Sequence, residues 1–358
     1  MPDTPRALGF RMPAEWEPHE ATWIAWPHNR DDWPGRFAPI PWVYAEIVRK
    51  LSQVERVRVL VEDSSAEDTA RRILRKAGAN LAAVEFFHIP TDRSWTRDYC
   101  PLFVKCRGGE VALTNWRFNG WAKYGDWKRD AAVPAAMAAA LKLRAWEPGI
   151  VLEGGSVDVN GRGLLLTTEE CLLSPVQARN PQMTRHEIET ALRDYLGVRQ
   201  IVWLQRGIAG DDTHGHIDDL ARFVNRNTVV IASEPDRADP NYEPLRENYA
   251  MLRKLPVRVV KLPMPAPVIF NGRRLPASYA NFYIANALVL VPTFNDPHDR
   301  IALGILARLF PDREVVGIHA VELVWGLGAL HCMTQQQPAS QAPDRLAGSG
   351  QRLRVRRA

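Results

Sequence analysis

The sequence predicts an α/β fold in which strand and helix units close into an array instead of stacking as a doubly wound sheet. Three observations carry this. Short β-branched and aromatic runs are each followed by one helical stretch, and the pattern recurs about five times between residues 12 and 338. The glycine-rich phosphate loop usual in a doubly wound nucleotide-binding sheet is missing. No low-complexity linker interrupts residues 12 to 338, so residues 1–338 read as one unit and 339–358 as a tail.

The elements follow in order. Residues 21–26 are aromatic and β-branched and stop at Pro27, as a strand does. Residues 42–54 place Val43, Ile47, Val48 and Leu51 at helical spacing. A strand over 57–61, a helix over 67–77 with Ser64 and Ser65 available as caps, and a strand over 84–89 come next. Strands over 101–106 and 111–115 precede a helix over 133–141. Asn160-Gly161 is a two-residue hairpin signal between strands 156–159 and 163–166. Thr184, with Glu187 three residues on, reads as a capping box opening a helix over 185–196, followed by a strand over 200–204. Two more rounds complete the series. In the first, strands 221–224 and 228–231 lead to helix 242–255 and strand 257–261. In the second, strands 281–285 and 288–291 lead to helix 299–309 and strand 314–318.

Composition excludes several classes. The 358 residues are 46% hydrophobic and 24% charged, an ordinary globular balance with length for a large core. No run of about eighteen apolar residues exists, so no membrane partner is expected. The start lacks an apolar stretch of signal-peptide type, and Cys100, Cys106, Cys171 and Cys332 show no metal or disulfide spacing. Together these point to a reducing cytoplasm. Of the net +5, the last eighteen residues hold +4, from five arginines against Asp344. The remaining body is nearly neutral, so no nucleic-acid partner is expected of it. The Arg-rich tail reads as disordered.

Four polar stretches carry the chemistry. In Gly326-Leu-Gly-Ala-Leu-His-Cys-Met-Thr-Gln-Gln-Gln-Pro338, a cysteine follows a glycine-loosened turn. Cys332 is a candidate nucleophile or, in the plainer reading, a small buried hydrophobe. Asp211-Asp-Thr-His-Gly-His-Ile-Asp-Asp219 puts His214, His216 and Asp218 two apart, on one face of an extended segment. That spacing also suits a metal, so a metallohydrolase using His214, His216 and Asp218 stays open as a rival, as does a solvated acidic loop. Trp95 and Asp98 present an aromatic face and a carboxylate three residues apart. In Leu152-Glu153-Gly-Gly-Ser156 the glycines allow close backbone approach beside an acid. Carboxylates, one histidine and one thiol are what a guanidinium substrate calls for. The cation is planar, permanently charged and rich in N–H donors, and its carbon is a poor electrophile that needs a thiolate and a proton donor.

These stretches, in this order, resemble the agmatine deiminase family and its Porphyromonas-type peptidyl-arginine deiminase relatives, in the guanidino-group-modifying superfamily. Further matching segments are Met12-Pro-Ala-Glu-Trp-Glu-Pro-His-Glu20, Leu275-Pro-Ala-Ser-Tyr-Ala-Asn-Phe-Tyr283 and Pro311-Asp-Arg-Glu-Val315. The resemblance covers all but the first ten residues and the tail. It implies a five-bladed pseudo-symmetric α/β propeller of pentein-type ββαβ repeats with the site at the centre. It implies Cys332 as nucleophile, His216 as general acid/base, Asp98 and Asp218 as guanidinium-binding carboxylates, and Glu153 as the acid supporting His216 and the substrate. Trp95 would be the aromatic wall along the substrate's aliphatic arm. It implies neither a metal nor an organic cofactor, names a small guanidino compound, agmatine first, as the partner, and leaves a homodimer open. A peptidyl-arginine deiminase, or a non-catalytic amine binder of the same family, are the alternatives. Two departures bear on the substrate. The family commonly has glycine and asparagine where Leu327 and Ala329 stand, and Asp or Asn at the position of His214. On one face with His216, His214 would titrate with it as a coupled pair.

Overall fold

Four times along the chain, two antiparallel strands, a helix and a third strand parallel to the second follow one another. The computed structural model describes residues 3–340. The units are Leu102–Lys105, Val111–Thr114, helix Lys128–Leu141 and Ala145–Trp146; then Asp158–Val159, Leu164–Thr168, helix Arg185–Leu196 and Gln200–Leu204. After these come Ala221–Asn225, Thr228–Ser233, helix Tyr242–Leu252 and Arg258–Pro263, and then Tyr283–Ile284, Leu288–Thr293, helix Pro297–Leu309 and Glu314–His319. A fifth sheet has the same order but is assembled from both ends of the described chain. Gln335–Pro338 pairs antiparallel with His19–Ala25, helix Ile40–Leu51 crosses over, and Arg56–Val61 runs parallel to His19–Ala25. Helix Ser64–Ala77 and strand Val84–His88 extend that sheet by one parallel strand.

The helices are where a parallel pairing demands a crossover. Each buries one stripe against its sheet: Tyr44, Ile47, Val48 and Leu51 in helix Ile40–Leu51, and Ile188, Leu192 and Leu196 in helix Arg185–Leu196. Thr184 closes the expected capping box with Glu187, and Gly197 ends that helix in the left-handed region. Asp63, not Ser64 or Ser65, caps helix Ser64–Ala77 by accepting from the Ala66 N–H.

Differences from the predicted elements have tertiary causes. Helix Lys128–Leu141 starts five residues before the expected 133, with Asp130 buried and accepting the backbone N–H groups of Asp92 and Arg93. Gln335–Pro338 looks like polar loop in the sequence yet is a buried strand. Its Gln337 accepts from Trp23 Nε1 at 2.9 Å and from Arg58 at 2.6 Å. Short strands also lie outside the predicted set: Ala145–Trp146, and a hairpin of Ile269–Phe270 with Arg273–Arg274 that turns on Asn271 and Gly272, both at positive φ. Among the described residues no helix is long and apolar enough to cross a membrane. The predicted tail disorder concerns residues almost all outside the described range.

Candidate functional site

In every one of the five sheets, a polar residue sits just before the first strand. Asp98 lies in the one-turn helix Thr96–Tyr99 before Leu102–Lys105. Glu153 precedes the turn Gly154–Ser156 that leads into Asp158–Val159. His216 and Asp218 straddle the start of the turn Ile217–Asp219 before Ala221–Asn225. Asn281 precedes Tyr283–Ile284, and Cys332 precedes Gln335–Pro338. All are buried.

Gly155 lets His216, Asp98 and Asp218 meet. A Cβ there would stand 2.5 Å from His216 Nδ1, 2.8 Å from Asp98 Oδ1 and 3.1 Å from Asp218 Oδ2. Its backbone N–H donates to Asp98 Oδ1 at 3.0 Å, and Trp121 Nε1 donates to Asp98 Oδ2 at 2.9 Å. His216 is set among acids: Nδ1 is 3.7 Å from Asp98 and 4.0 Å from Asp218, and Nε2 is 3.7 Å from Glu153 Oε2. None of these is a hydrogen bond. Both His216 nitrogens, Glu153 Oε2 and Asp218 Oδ1 are buried without a partner. Orphaned polar atoms this dense are costly unless something else occupies the centre.

Burial alone would lower the His216 pKa, but the Asp98 carboxylate, then Cys171 and Glu153, outweigh it and hold the ring well above its usual value. Of the three acids, Glu153 is paired with Arg179 and Asp218 with His331, which leaves Asp98 facing His216 at 3.7 Å. Burial, then Asp218 and Glu153, push Asp98 up to about 6 although His216 pulls it down. Glu153 escapes this. Against the cost of burial, Arg179 donates to its Oε1 at 3.0 Å and, with His216, holds its pKa down to about 2. Burial raises the Cys332 thiol well above its normal pKa, and Asp218, Asp219 and Asp98 raise it further. The resting thiol is therefore protonated at neutral pH.

Cys332 and Asp98 open onto one pocket whose walls include Trp95, Trp121, Tyr124 and Leu327. Trp95 packs across Gly328, where a Cβ would meet its ring at 2.7 Å. Leu327, in the turn before Cys332, adopts φ +70°. That left-handed conformation is one that favours glycine and strains leucine.

The six residues Cys332, His216, Glu153, Asp98, Asp218 and Trp95 are brought together here. His214 is not. Its φ of +64° turns it outward, Nε2 lies 3.1 Å from Ser174 Oγ, and it lines a separate surface groove with Glu169 and Arg206. The expected shared face, coupled titration and His214/His216/Asp218 metal triad are all corrected by this one backbone turn. An intervening Gly215, itself at φ +97°, breaks the extended run that the two-residue spacing assumed.

Comparison with known proteins agrees with the geometry. The pattern defining the Porphyromonas-type peptidyl-arginine deiminases matches residues 11–338. The chain belongs to this family. An agmatine deiminase of Pseudomonas aeruginosa (strain LESB58) is 39% identical, over 94% of this chain and 97% of its own. One of Ectopseudomonas mendocina is 36% identical over 94% and 98%. Among solved structures, the agmatine deiminase of Enterococcus faecalis has a TM-score of 0.88 at 33% identity, covering 94% of this chain and 98% of that one. The agmatine deiminase of C. jejuni with substrate bound has a TM-score of 0.85 at 31% identity, over 92% and 96%. An amidinotransferase from Microseira wollei, 12% identical with a TM-score of 0.50, covers 92% of this chain and 97% of its own and shares the fold.

Within this member of the peptidyl-arginine deiminase family, several supporting residues escaped the sequence reading. His331 bridges two carboxylates, with Nδ1 2.7 Å from Asp218 Oδ2 and Nε2 2.7 Å from Glu15 Oε2. Two such contacts each need a proton, so the ring is an imidazolium or shares a proton with one carboxyl, whatever the downward pull of burial, Arg222 and Arg97 on its pKa. Asn281 Nδ2 donates to Cys332 Sγ at 3.1 Å, and its Oδ1 accepts from the His331 N–H at 2.9 Å. Glu15 and Asn281 stood inside matched segments, which was the available signal. Arg179 and Trp121 stood in none.

Proposed function

We propose that this chain is an agmatine deiminase, hydrolysing agmatine to N-carbamoylputrescine and ammonia. The observation that carries the reading is the buried, acid-rich site: Asp98, Glu153 and Asp218 gathered about His216, with orphaned atoms on Glu153, Asp218 and the histidine, beside a thiol. A guanidinium, a cation with several N–H donors, satisfies the orphaned carboxylate oxygens of that set. The relatives named agmatine deiminase, alike over nearly the whole chain, narrow the substrate.

The chemistry then runs as follows. The guanidinium sits between Asp98 and Asp218, supplies the missing positive charge and draws the Cys332 pKa down, so the thiol ionises when substrate is present. The thiolate adds to the guanidinium carbon. His216, held protonated by its acids, gives its proton to one terminal nitrogen, and ammonia leaves. A thiouronium remains on Cys332. Water attacks it, giving one proton to His216, and collapse releases the carbamoyl product and expels the thiolate, which takes up the remaining hydroxyl proton to return as the thiol. Glu153, fixed by Arg179, orients His216 throughout. Trp95 flanks the aliphatic arm, and Asp31 adds negative charge to the pocket wall for the substrate's second cation, Asp32 being paired with Arg93 at 2.6 Å.

The five equivalent ββαβ units support a five-bladed propeller around the site, with residues 1–338 as one catalytic domain. The four unpaired cysteines support a reducing cytoplasmic compartment. Ammonia release from agmatine, arginine and an arginyl peptide by the purified chain tests the activity. Turnover of agmatine well above the other two is expected. Release from the peptide but not from agmatine would overturn the reading.

A further inference from the structure

The strand that starts at each acid ends at an arginine. Asp98 leads through Leu102–Lys105 to a turn with Arg107, Glu153 through Asp158–Val159 to a turn with Arg162, and Asp218 through Ala221–Asn225 to a turn with Arg226. The three turns, exposed and on successive sheets, line one groove. Arg6, Lys105 and Arg199 line it too. Among the described residues none of these six cations has an ion-pair partner. The groove's single carboxylate, Glu17, is already paired with Arg11 at 2.7 Å. No residue of this groove belongs to the pocket at Cys332.

Unneutralised charge this dense repels itself unless an anion covers it. Five of the six are arginines, whose guanidinium forks match phosphate oxygens two at a time. They come from separate turns and line a groove, which suits a chain of phosphates better than one small anion or a flat surface. The half-buried Trp16 on the wall offers a ring to an unpaired base. The described chain also ends here: Lys105 Nζ donates to the Ala339 carbonyl, and the Ser340 carbonyl packs on Gly109, in the same turn as Arg107. We propose that this groove is a binding site for single-stranded nucleic acid, held through its phosphates without regard to sequence. The nearly neutral body charge concealed it. Acids gathered at one end of the strands cancel, in the total, arginines gathered at the other.

The test is fluorescence anisotropy of a labelled 20-nucleotide RNA titrated with the full chain between about 50 and 200 mM KCl. Six phosphates neutralised give a log–log salt slope of about −4, at roughly 0.7 per phosphate on a single strand. Arg107→Ala/Arg162→Ala/Arg226→Ala should cut that slope by about 2 and weaken binding at least tenfold, with agmatine turnover and melting temperature unchanged. Replacing Arg352, Arg354, Arg356 and Arg357 by alanine should weaken binding less. No binding by the wild type would overturn the proposal. So would binding lost with the tail arginines but indifferent to the groove, or binding to phosphatidylserine vesicles without binding to RNA.

Discussion

At the scale of single residues, the site is defined by what its groups lack. Cys332 lacks a cation, so its thiol stays protonated until substrate brings one. Cys332→Ala should abolish turnover while agmatine still binds and the fold is kept, as read by steady-state rates, calorimetry and circular dichroism. In the wild type, a cationic haloacetamidine should alkylate Cys332 faster than neutral iodoacetamide does, because thiolate population governs the rate. Equal rates, read by peptide mass spectrometry, would mean the acids do not control the thiol. Asp98→Asn and Asp218→Asn each remove one partner of a desolvated cation. Such a truncation costs about 2–5 kcal/mol, so kcat/KM for agmatine should fall by at least about 30-fold in each, on the scale of 1.4 kcal/mol per factor of ten.

At the scale of elements, the short turns ahead of the first strands do the positioning, and they tolerate little. Leu327 occupies a left-handed backbone that a β-branched side chain adopts worst. Leu327→Val should therefore lower stability by about 1–2 kcal/mol more than Leu327→Gly, which takes up φ +70° without strain. Urea denaturation of the two variants measures it. Equal midpoints would mean that the turn before Cys332 is not left-handed in solution.

At the scale of the whole molecule, pH acts through groups that the fold buries together. Asp98, raised to about 6, is protonated below that pH, and a guanidinium must then displace its proton to bind. Agmatine affinity in Cys332→Ala should be flat above pH 6 and fall about tenfold per pH unit below it, with one proton released per agmatine bound. Calorimetry in two buffers of different ionisation enthalpy measures both. Glu153 works the other way on stability. Its pKa, depressed from 4.5 to about 2, contributes stability that is fully present above pH 4.5 and lost as the pH falls toward 2. Breaking its buried contact with Arg179 by Arg179→Met should remove that acid limb from the unfolding curve.

Much of this was legible in the chain. The alternation of strand and helix, the capping box at Thr184, and the six site residues stood in local patterns, because helix periodicity, caps and glycine turns are short-range physics. The companions of those residues were not legible. His331 meets Glu15 across 316 positions of sequence, and Gln335–Pro338 is a strand only because His19–Ala25 lies beside it. His214 shows the limit from the other side. Two residues from His216, it faces away because Gly215 turns the backbone. The sequence by itself determined which side chains could do guanidine chemistry and where most of the strands and helices lie. The tertiary structure alone decided which acids crowd into one buried volume, and so which are held near pH 6 and which near 2. Burial and Coulomb energy depend on distance in space, and a net charge or a residue spacing contains neither.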